Sequence, residues 1–253
     1  MKPSRWPACL LLLLLSCLLT GCVYWRLYQT KLQMEEFDRY FHIETDAGNF
    51  IWRFKDPLLY SDDFTTLARL EPSVSRPLPT GKLNVYRFRK VDGLGQLIKP
   101  PVEFSFELSF NHENRLTSWL FSPIFMQIAP PEFLEASIRS LAGAKINEAA
   151  HQLKATISEQ DKIDADFPKK AAVLKRMGEP LGIDDEGDLE IYSYHFMLET
   201  PKIDKGYESR ALTVVKLTFN KSTQELVKMA GRFAGLKLSI DYRKFAKDGK
   251  HAV

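Results

Sequence analysis

The sequence predicts an α+β fold in which two tandem modules, each a helix plus an antiparallel meander, are joined by a helical connector. Residues 102–110 alternate apolar and polar side chains, which is typical of a strand with one buried and one solvated face. Residues 236–245 alternate in the same way. Between them, residues 130–157 carry apolar side chains at the three- and four-residue spacing of helices. Two strand-rich segments around a helical one define this architecture.

The two strand-rich segments also resemble each other. Short matches occur in the same order, first at a helix that ends before a proline and then along three strands. The matched pairs are 67–72 with 174–180, 83–88 with 189–194, 108–111 with 217–220, and 115–116 with 225–226. We interpret this order as a tandem duplication. The alternative is a single antiparallel sheet built from unrelated strands and covered by helices.

The N-terminus has the pattern of an export signal. Lys2 and Arg5 precede an apolar run from Ala8 to Leu19, and no acidic residue lies within residues 1–21. A run of about 12 residues suits the hydrophobic region of a signal peptide and is shorter than the roughly 20 residues of a spanning helix. We therefore expect residues 1–21 to be a signal peptide.

The next motif, Leu19-Thr20-Gly21-Cys22, resembles the lipobox of bacterial lipoprotein precursors. The resemblance implies cleavage before Cys22, which becomes the lipidated residue, and anchorage of the protein to a membrane. Many enterobacterial lipoproteins that stay at the inner membrane have aspartate after the cysteine, whereas this chain has Val23. The resemblance therefore implies the periplasmic side of the outer membrane.

An uncleaved transmembrane anchor is the alternative interpretation of this segment. Val23, Tyr24 and Trp25 extend the apolar run, and Tyr24, Trp25 and Tyr28 are the residue types that sit at membrane interfaces. Both interpretations place the rest of the chain outside the cytoplasm on a membrane. Tyr24, Trp25 and Tyr28 are the candidate membrane-interface residues in either case.

These signals divide the chain into five predicted segments. In order they are the signal peptide 1–21, a lipid-anchored tether 22–40, the first α+β module 41–128, the helical connector 129–165 and the second α+β module 166–253. The tether is expected to lift the modules off the bilayer.

Charge and cysteine content exclude several functions. The chain has 35 Lys and Arg residues and 32 Asp and Glu residues, and only Lys2 and Arg5 leave with residues 1–21, so the net charge falls from +3 to +1. There is no overall positive charge to favour nucleic acid. Cys9 and Cys17 also leave, and lipidation of Cys22 leaves no thiol for a disulfide, a metal or a nucleophile.

No catalytic, cofactor or metal motif is evident. No two of the five histidines lie at helical ligand spacing, and the two with a carboxylate four positions away, His42 and His195, are in predicted strands. His195 is therefore interpreted as a packed strand residue rather than a base. Residues 184–188 form an acidic cluster that lacks the pattern of a calcium loop and is interpreted as a solvated turn. The sequence predicts a non-enzymatic protein with no small-molecule substrate.

Part of the second module resembles a known group of envelope proteins. The helix 170–180 with its Gly-x-Pro ending, the aromatic strand 191–194 and the strand 217–219 look like elements of the BamE/SmpA lipoproteins and of β-lactamase inhibitor proteins that share their fold. The resemblance implies an envelope-protein partner and a role in outer-membrane assembly or maintenance. This chain departs from the group in its helical connector, and residues 67–72 lack the glycine, so no binding residue is transferred.

Two other functions remain open at this stage. An inhibitor or sensor of a secreted enzyme would need an exposed, concave aromatic face across both modules. An envelope hydrolase would need a hidden site, such as His195 beside a carboxylate.

Overall fold

The structure is a computed structural model that describes residues 23–143, 145–147, 152–154 and 162–247. Its main feature is an antiparallel sheet of 11 strands with the path β1-β2-β6-β5-β4-β10-β11-β12-β13, in which β3 also pairs with β4 and β9 with β10. The strands are β1 (Phe41–Asp46), β2 (Asn49–Phe54), β3 (Val74–Leu78), β4 (Gly81–Val91), β5 (Glu103–Phe110), β6 (Leu116–Phe121), β9 (Gly182–Glu186), β10 (Leu189–Leu198), β11 (Leu212–Asn220), β12 (Leu226–Phe233) and β13 (Leu236–Asp241). A separate hairpin consists of β7 (Lys145–Asn147) and β8 (Gln152–Lys154).

The helices of the described residues are short. They are α1, described over residues 23–33, α2 (Phe37–Tyr40), α3 (Ser61–Ala68), α4 (Pro131–Arg139) and α5 (Lys170–Met177). Single 3-10 turns cover Met34–Glu36, Phe125–Gln127, Glu208–Arg210 and Tyr242–Lys244.

The predicted fold class is wrong, because the strands form one curled sheet rather than two modules joined by a helical connector. β4 and β10 pair directly, with Phe88 opposite Leu198 and Val91 opposite His195. In the expected connector, α4 is helical, but residues 145–147 and 152–154 form the paired strands of the β7–β8 hairpin. Short apolar patterns do not distinguish a helix from strands, which explains the error. Other residues of that stretch lie outside the described part.

Most individual elements were nevertheless predicted. Helices α3 and α5 and the strands β4, β5, β6 and β10–β13 lie where the sequence places them. β3 and β9 were missed. β3 contains Pro77, and β9 carries the acidic residues that were interpreted as a turn. Both are short, exposed strands at which a proline or a run of acids is tolerated.

The inner face of the sheet is packed with aromatic side chains. The Phe233 ring lies 5.5–5.9 Å, between centroids, from the rings of Phe88, Phe104, Phe106 and Phe125. All five side chains are buried. The core therefore joins strands from both halves of the chain and leaves the opposite, outer face of the sheet to solvent.

Helix α4 connects the two ends of the curled sheet. Phe133 packs on Tyr242, just after β13, at 4.8 Å between ring centroids. At the other end of the helix, Arg139 binds Asp38 of α2 at 2.7 Å and lies over the Phe37 ring at 4.1 Å. The guanidinium of Arg139 also lowers the pKa of Asp38.

Within this single sheet, the order α3-β3-β4-β5-β6 corresponds to α5-β9-β10-β11-β12. The register shifts at Ser109/Phe110 in the first set and at Thr218/Phe219 in the second. The two helices also start alike. Ser61 N donates to Asn114 O at 3.0 Å, and Lys170 N donates to Gln224 O at 2.8 Å. Both acceptor residues have positive φ, 62° and 55°.

The register also adjusts one of the sequence matches. Tyr86 lies opposite Phe106, and Tyr194 lies opposite Val215. Phe106 and Val215 are equivalent positions, because each lies three residues before the register shift of its strand. Tyr86 therefore corresponds to Tyr194, whereas the sequence match paired it with Tyr192, two residues earlier. A shift of two keeps every side chain on the same face of the sheet, which is why sequence alternation does not reveal it.

Candidate membrane-docking site

Helix α1 follows Cys22 directly and packs against the folded body. Thr30 and Gln33 are buried, and Leu27 and Met34 contact the hydrophobic core. The chain then continues through α2 into β1. The segment expected to be a tether is therefore helical and rests on the domain.

The exposed side of α1 is apolar. Between residues 23 and 33, the residues classed as exposed are Tyr24, Trp25, Tyr28 and Leu32, with 56, 58, 42 and 42% of their surface accessible. Residues three or four positions apart in a helix share a face, so these four side chains form one stripe. The rings of Trp25 and Tyr28 are 5.7 Å apart. We call these four residues the aromatic stripe.

Three polar side chains of α1, those of Arg26, Thr30 and Gln33, point inward instead. Arg26 Nε donates to Asp63 Oδ2 at 2.8 Å, and the second pair of atoms, Nη2 and Oδ1, is also hydrogen-bonded. The Asp63 side chain is only 4% exposed. It also accepts from Tyr60 N at 2.9 Å, and the Arg26 guanidinium lies 5.0 Å from the Tyr60 ring centroid. Farther along α1, Gln33 Nε2 donates to Asp56 O at 3.0 Å.

This arrangement fixes how α1 is rotated on the domain. A buried, bidentate arginine–carboxylate pair has strict geometry, and separating its members leaves an unpaired buried charge. Turning the helix to bury Trp25 would require that separation. The polar contacts thus keep the aromatic stripe pointing away from the protein.

The structure brings together the three interface residues that the sequence predicts, Tyr24, Trp25 and Tyr28. Cys22 lies outside the described residues. Sequence reasoning missed Leu32, although its position four residues after Tyr28 was a usable signal. It also missed the Arg26–Asp63 pair, because 37 positions separate the two residues.

The other candidates for chemistry are not assembled into a site. Over the described ranges, no group of three or more His, Cys, Asp and Glu residues is placed to hold a metal ion. His195 lies between Val91 and Val214 in the strand register. Asp185 of the acidic cluster is paired with Lys221 at 2.8 Å.

A cleft of about 160 Å³ lies between the end of α3 and the segment that follows β10. Arg69 and Asp204 face each other across it at 3.7 Å, and Glu71 also lines it. Its volume is below the roughly 300 Å³ at which small-molecule sites begin. The cleft is therefore smaller than a typical ligand site and does not indicate a function.

Comparison with known proteins does not assign a function to this chain. No protein-family model, curated protein or solved structure matches this chain. Within the described residues, no helix is both long enough and apolar enough to cross a bilayer.

Proposed function

We propose that this chain is a non-enzymatic lipoprotein of the bacterial envelope, held at a membrane by a lipid on Cys22 and by the aromatic stripe of α1. The observation that carries the proposal is the inverted polarity of α1. Its exposed residues are aromatic or aliphatic, whereas Arg26 and Gln33 face the protein. A helix on a water-facing surface normally has the opposite arrangement.

The stripe and the lipid complement each other energetically. Removing apolar surface from water contributes roughly 25 cal/mol per Å², and tryptophan and tyrosine suit the boundary between headgroups and water. The diacylglyceryl group that the lipobox implies on Cys22 has two acyl chains, which give stable anchoring, so the stripe adds contact area and orientation. The aromatic stripe supplies a contact adjacent to the lipidated residue.

A fixed α1 also orients the domain on the membrane. Because the Arg26–Asp63 pair holds the helix, contact of the stripe with the bilayer sets which surfaces face away from it. We propose that such a surface binds an envelope protein, with the outer membrane as the location and a role in its assembly or maintenance. The domain would then act as a scaffold.

The alternative function as an enzyme inhibitor gains no support from the strand aromatics. It requires an exposed aromatic sheet face, yet Tyr86, Phe88, Tyr194 and Phe196 are all buried. The hydrolase alternative gains none from His195, whose strand neighbours are valines.

The proposal is tested in cells with Cys22→Ser. The natural chain should incorporate a radiolabelled fatty acid and remain with membranes, whereas Cys22→Ser should stay unlabelled and be released by an alkaline carbonate wash. Retention of unlabelled Cys22→Ser after that wash would indicate an uncleaved transmembrane anchor and contradict lipid anchoring. Ser16→Ala serves as a control because it alters the same segment without removing the cysteine.

A further inference from the structure

The outer face of the sheet carries a cluster of cations across β11, β12 and β13. The cluster consists of Lys216, Lys228, Arg232 and Lys237, all of them exposed. The strand register brings them together: Lys216 lies opposite Ala230, which is two residues from both Lys228 and Arg232. We call these four residues the basic face.

The basic face lacks neutralising partners. None of its four cations forms an ion pair with another described residue. Arg232 lies directly opposite Lys237, and like charges at directly opposed positions destabilise an antiparallel pair. Lys228 lies opposite Asp241, but Arg243 Nε and Nη2 bind that carboxylate at 3.0 and 3.1 Å.

The outer face nearer the first half of the chain is different. There Arg89 is 2.7 Å from Glu199 and 3.6 Å from Glu103, and Arg87 is 3.3 Å from Glu199. The cations of that region are thus satisfied within the chain. Four cations without an ion pair to another described residue thus lie together on β11–β13, where they are available to an external anion.

We propose that the basic face docks an acidic surface of a protein partner. This inference rests on the protein-binding role proposed above and specifies the charge of the partner. The sheet curls around its core, so its outer face is convex. A flat bilayer would meet a convex face over a narrow line, whereas a protein partner can follow its curvature. Half-buried Val214 lies two residues from Lys216 on β11 and adds apolar surface beside the cations, as the centre of a protein interface requires.

The test uses the full, lipidated chain in detergent micelles with poly-L-glutamate as the probe. Charge reversal by Lys216→Glu, Lys228→Glu and Arg232→Glu together should weaken binding by about tenfold or more, because each exposed pair changes affinity by roughly 1.4- to fivefold. The matched control reverses three exposed cations elsewhere, Lys175→Glu, Lys202→Glu and Lys205→Glu. It should bind like the natural chain.

A second variant separates binding from folding. Arg232→Glu alone replaces a repulsive cross-strand pair with an attractive one, so it should raise or maintain the melting temperature while weakening poly-L-glutamate binding. Equal losses in the triple variant and its control would overturn the proposal. Unchanged binding in Arg232→Glu would also count against it.

Vesicles distinguish a lipid surface from an acidic protein. If the basic-face triple variant loses binding to phosphatidylglycerol vesicles but keeps its binding to poly-L-glutamate, the face is directed at lipid and the proposal is wrong. If it loses poly-L-glutamate binding alone, the proposal stands. Fatty-acid labelling of Cys22 is measured on the same samples, so a failure of membrane anchoring is recognised separately.

Discussion

Lys90 Nζ lies 2.7 Å from the carbonyl oxygen of Met177, the last residue of α5. It also donates to Glu179 O at 2.5 Å, and burial lowers its pKa. At the end of α3, Arg210 Nη1 donates to Ala68 O at 2.9 Å. Helices α5 and α3 thus each end beside a cation from the other half of the chain. The free carbonyl groups and the helix dipole favour positive charge at this end of a helix.

Lys90→Met should destabilise the protein by about 1–3 kcal/mol, because the buried carbonyl oxygen of Met177 would lose its donor. Methionine keeps the length and packing of the side chain. Urea unfolding measures the change, and Lys175→Met, an exposed lysine of the same helix α5, is the control. Equal stability of the two variants would show that the contact at Met177 contributes nothing.

The pH dependence of stability should include Glu199. Its hydrogen bond with Arg89 holds its pKa below the ordinary value of about 4.3, and burial opposes this shift. Because the pKa of Glu199 is lower in the folded state, its carboxylate stabilises the protein at pH values above the unfolded-state pKa. This stabilisation is lost as the pH falls through the folded-state pKa.

The difference in stability between the natural chain and Glu199→Gln should therefore be present at pH 7, decline as the pH falls below about 4.3 and be lost below the lowered folded-state pKa. Because the carboxylate is partly exposed, it should stay under about 1 kcal/mol. Urea unfolding at several pH values measures it. A difference that grows on acidification would contradict the assigned pairing.

Gly231→Ala should destabilise the core. A Cβ at this position would lie 2.8 Å from the Phe233 ring and 3.5 Å from Val215, so the ring would have to move within its aromatic cluster. Overpacking of this kind costs about 1–3 kcal/mol. Gly182→Ala is the matched control, since no atom lies within 4 Å of its added carbon. Thermal unfolding should separate the two.

Arg26→Met should loosen α1 without unfolding the sheet. Asp63 would become a buried carboxylate without its arginine, which weakens the contact between α1 and α3. Hydrogen exchange of residues 23–33 should speed up by about tenfold or more while β4 and β5 stay protected. Arg39→Met, which removes an exposed pair with Glu36, should leave that exchange unchanged.

Binding to vesicles should change the fluorescence of Trp25. It is exposed, whereas Trp52 is buried in the core, so a blue shift on addition of lipid reports mainly on the stripe. Leu32→Ser should reduce the lipid-bound fraction of Cys22→Ser protein, because it removes apolar area from the stripe. Thr66→Ser, elsewhere on the surface, should not reduce it. An unshifted spectrum would contradict insertion of the aromatic stripe.

Many strands and helices could be predicted from short stretches of the sequence. The alternation in β5 and β13 and the proline and glycine signals around α5 place strands and helices, because period and turn residues act over a few positions. The pairing of β4 with β10 could not be predicted in this way, since it joins residues that are 104 to 110 positions apart, from Val91 with His195 to Phe88 with Leu198. One sheet therefore replaces the two predicted modules.

For the candidate site, the sequence by itself determined which residue types are present: a motif ending at Cys22 that resembles a lipobox, the aromatic residues Tyr24, Trp25 and Tyr28, and a near-neutral charge after residue 21. Only the tertiary structure decided where those groups point. The stripe faces outward because the buried carboxylate of Asp63 holds Arg26 from 37 positions away. The basic face likewise exists only because three strands place their cations side by side, and such neighbours come from strand register rather than from order along the chain.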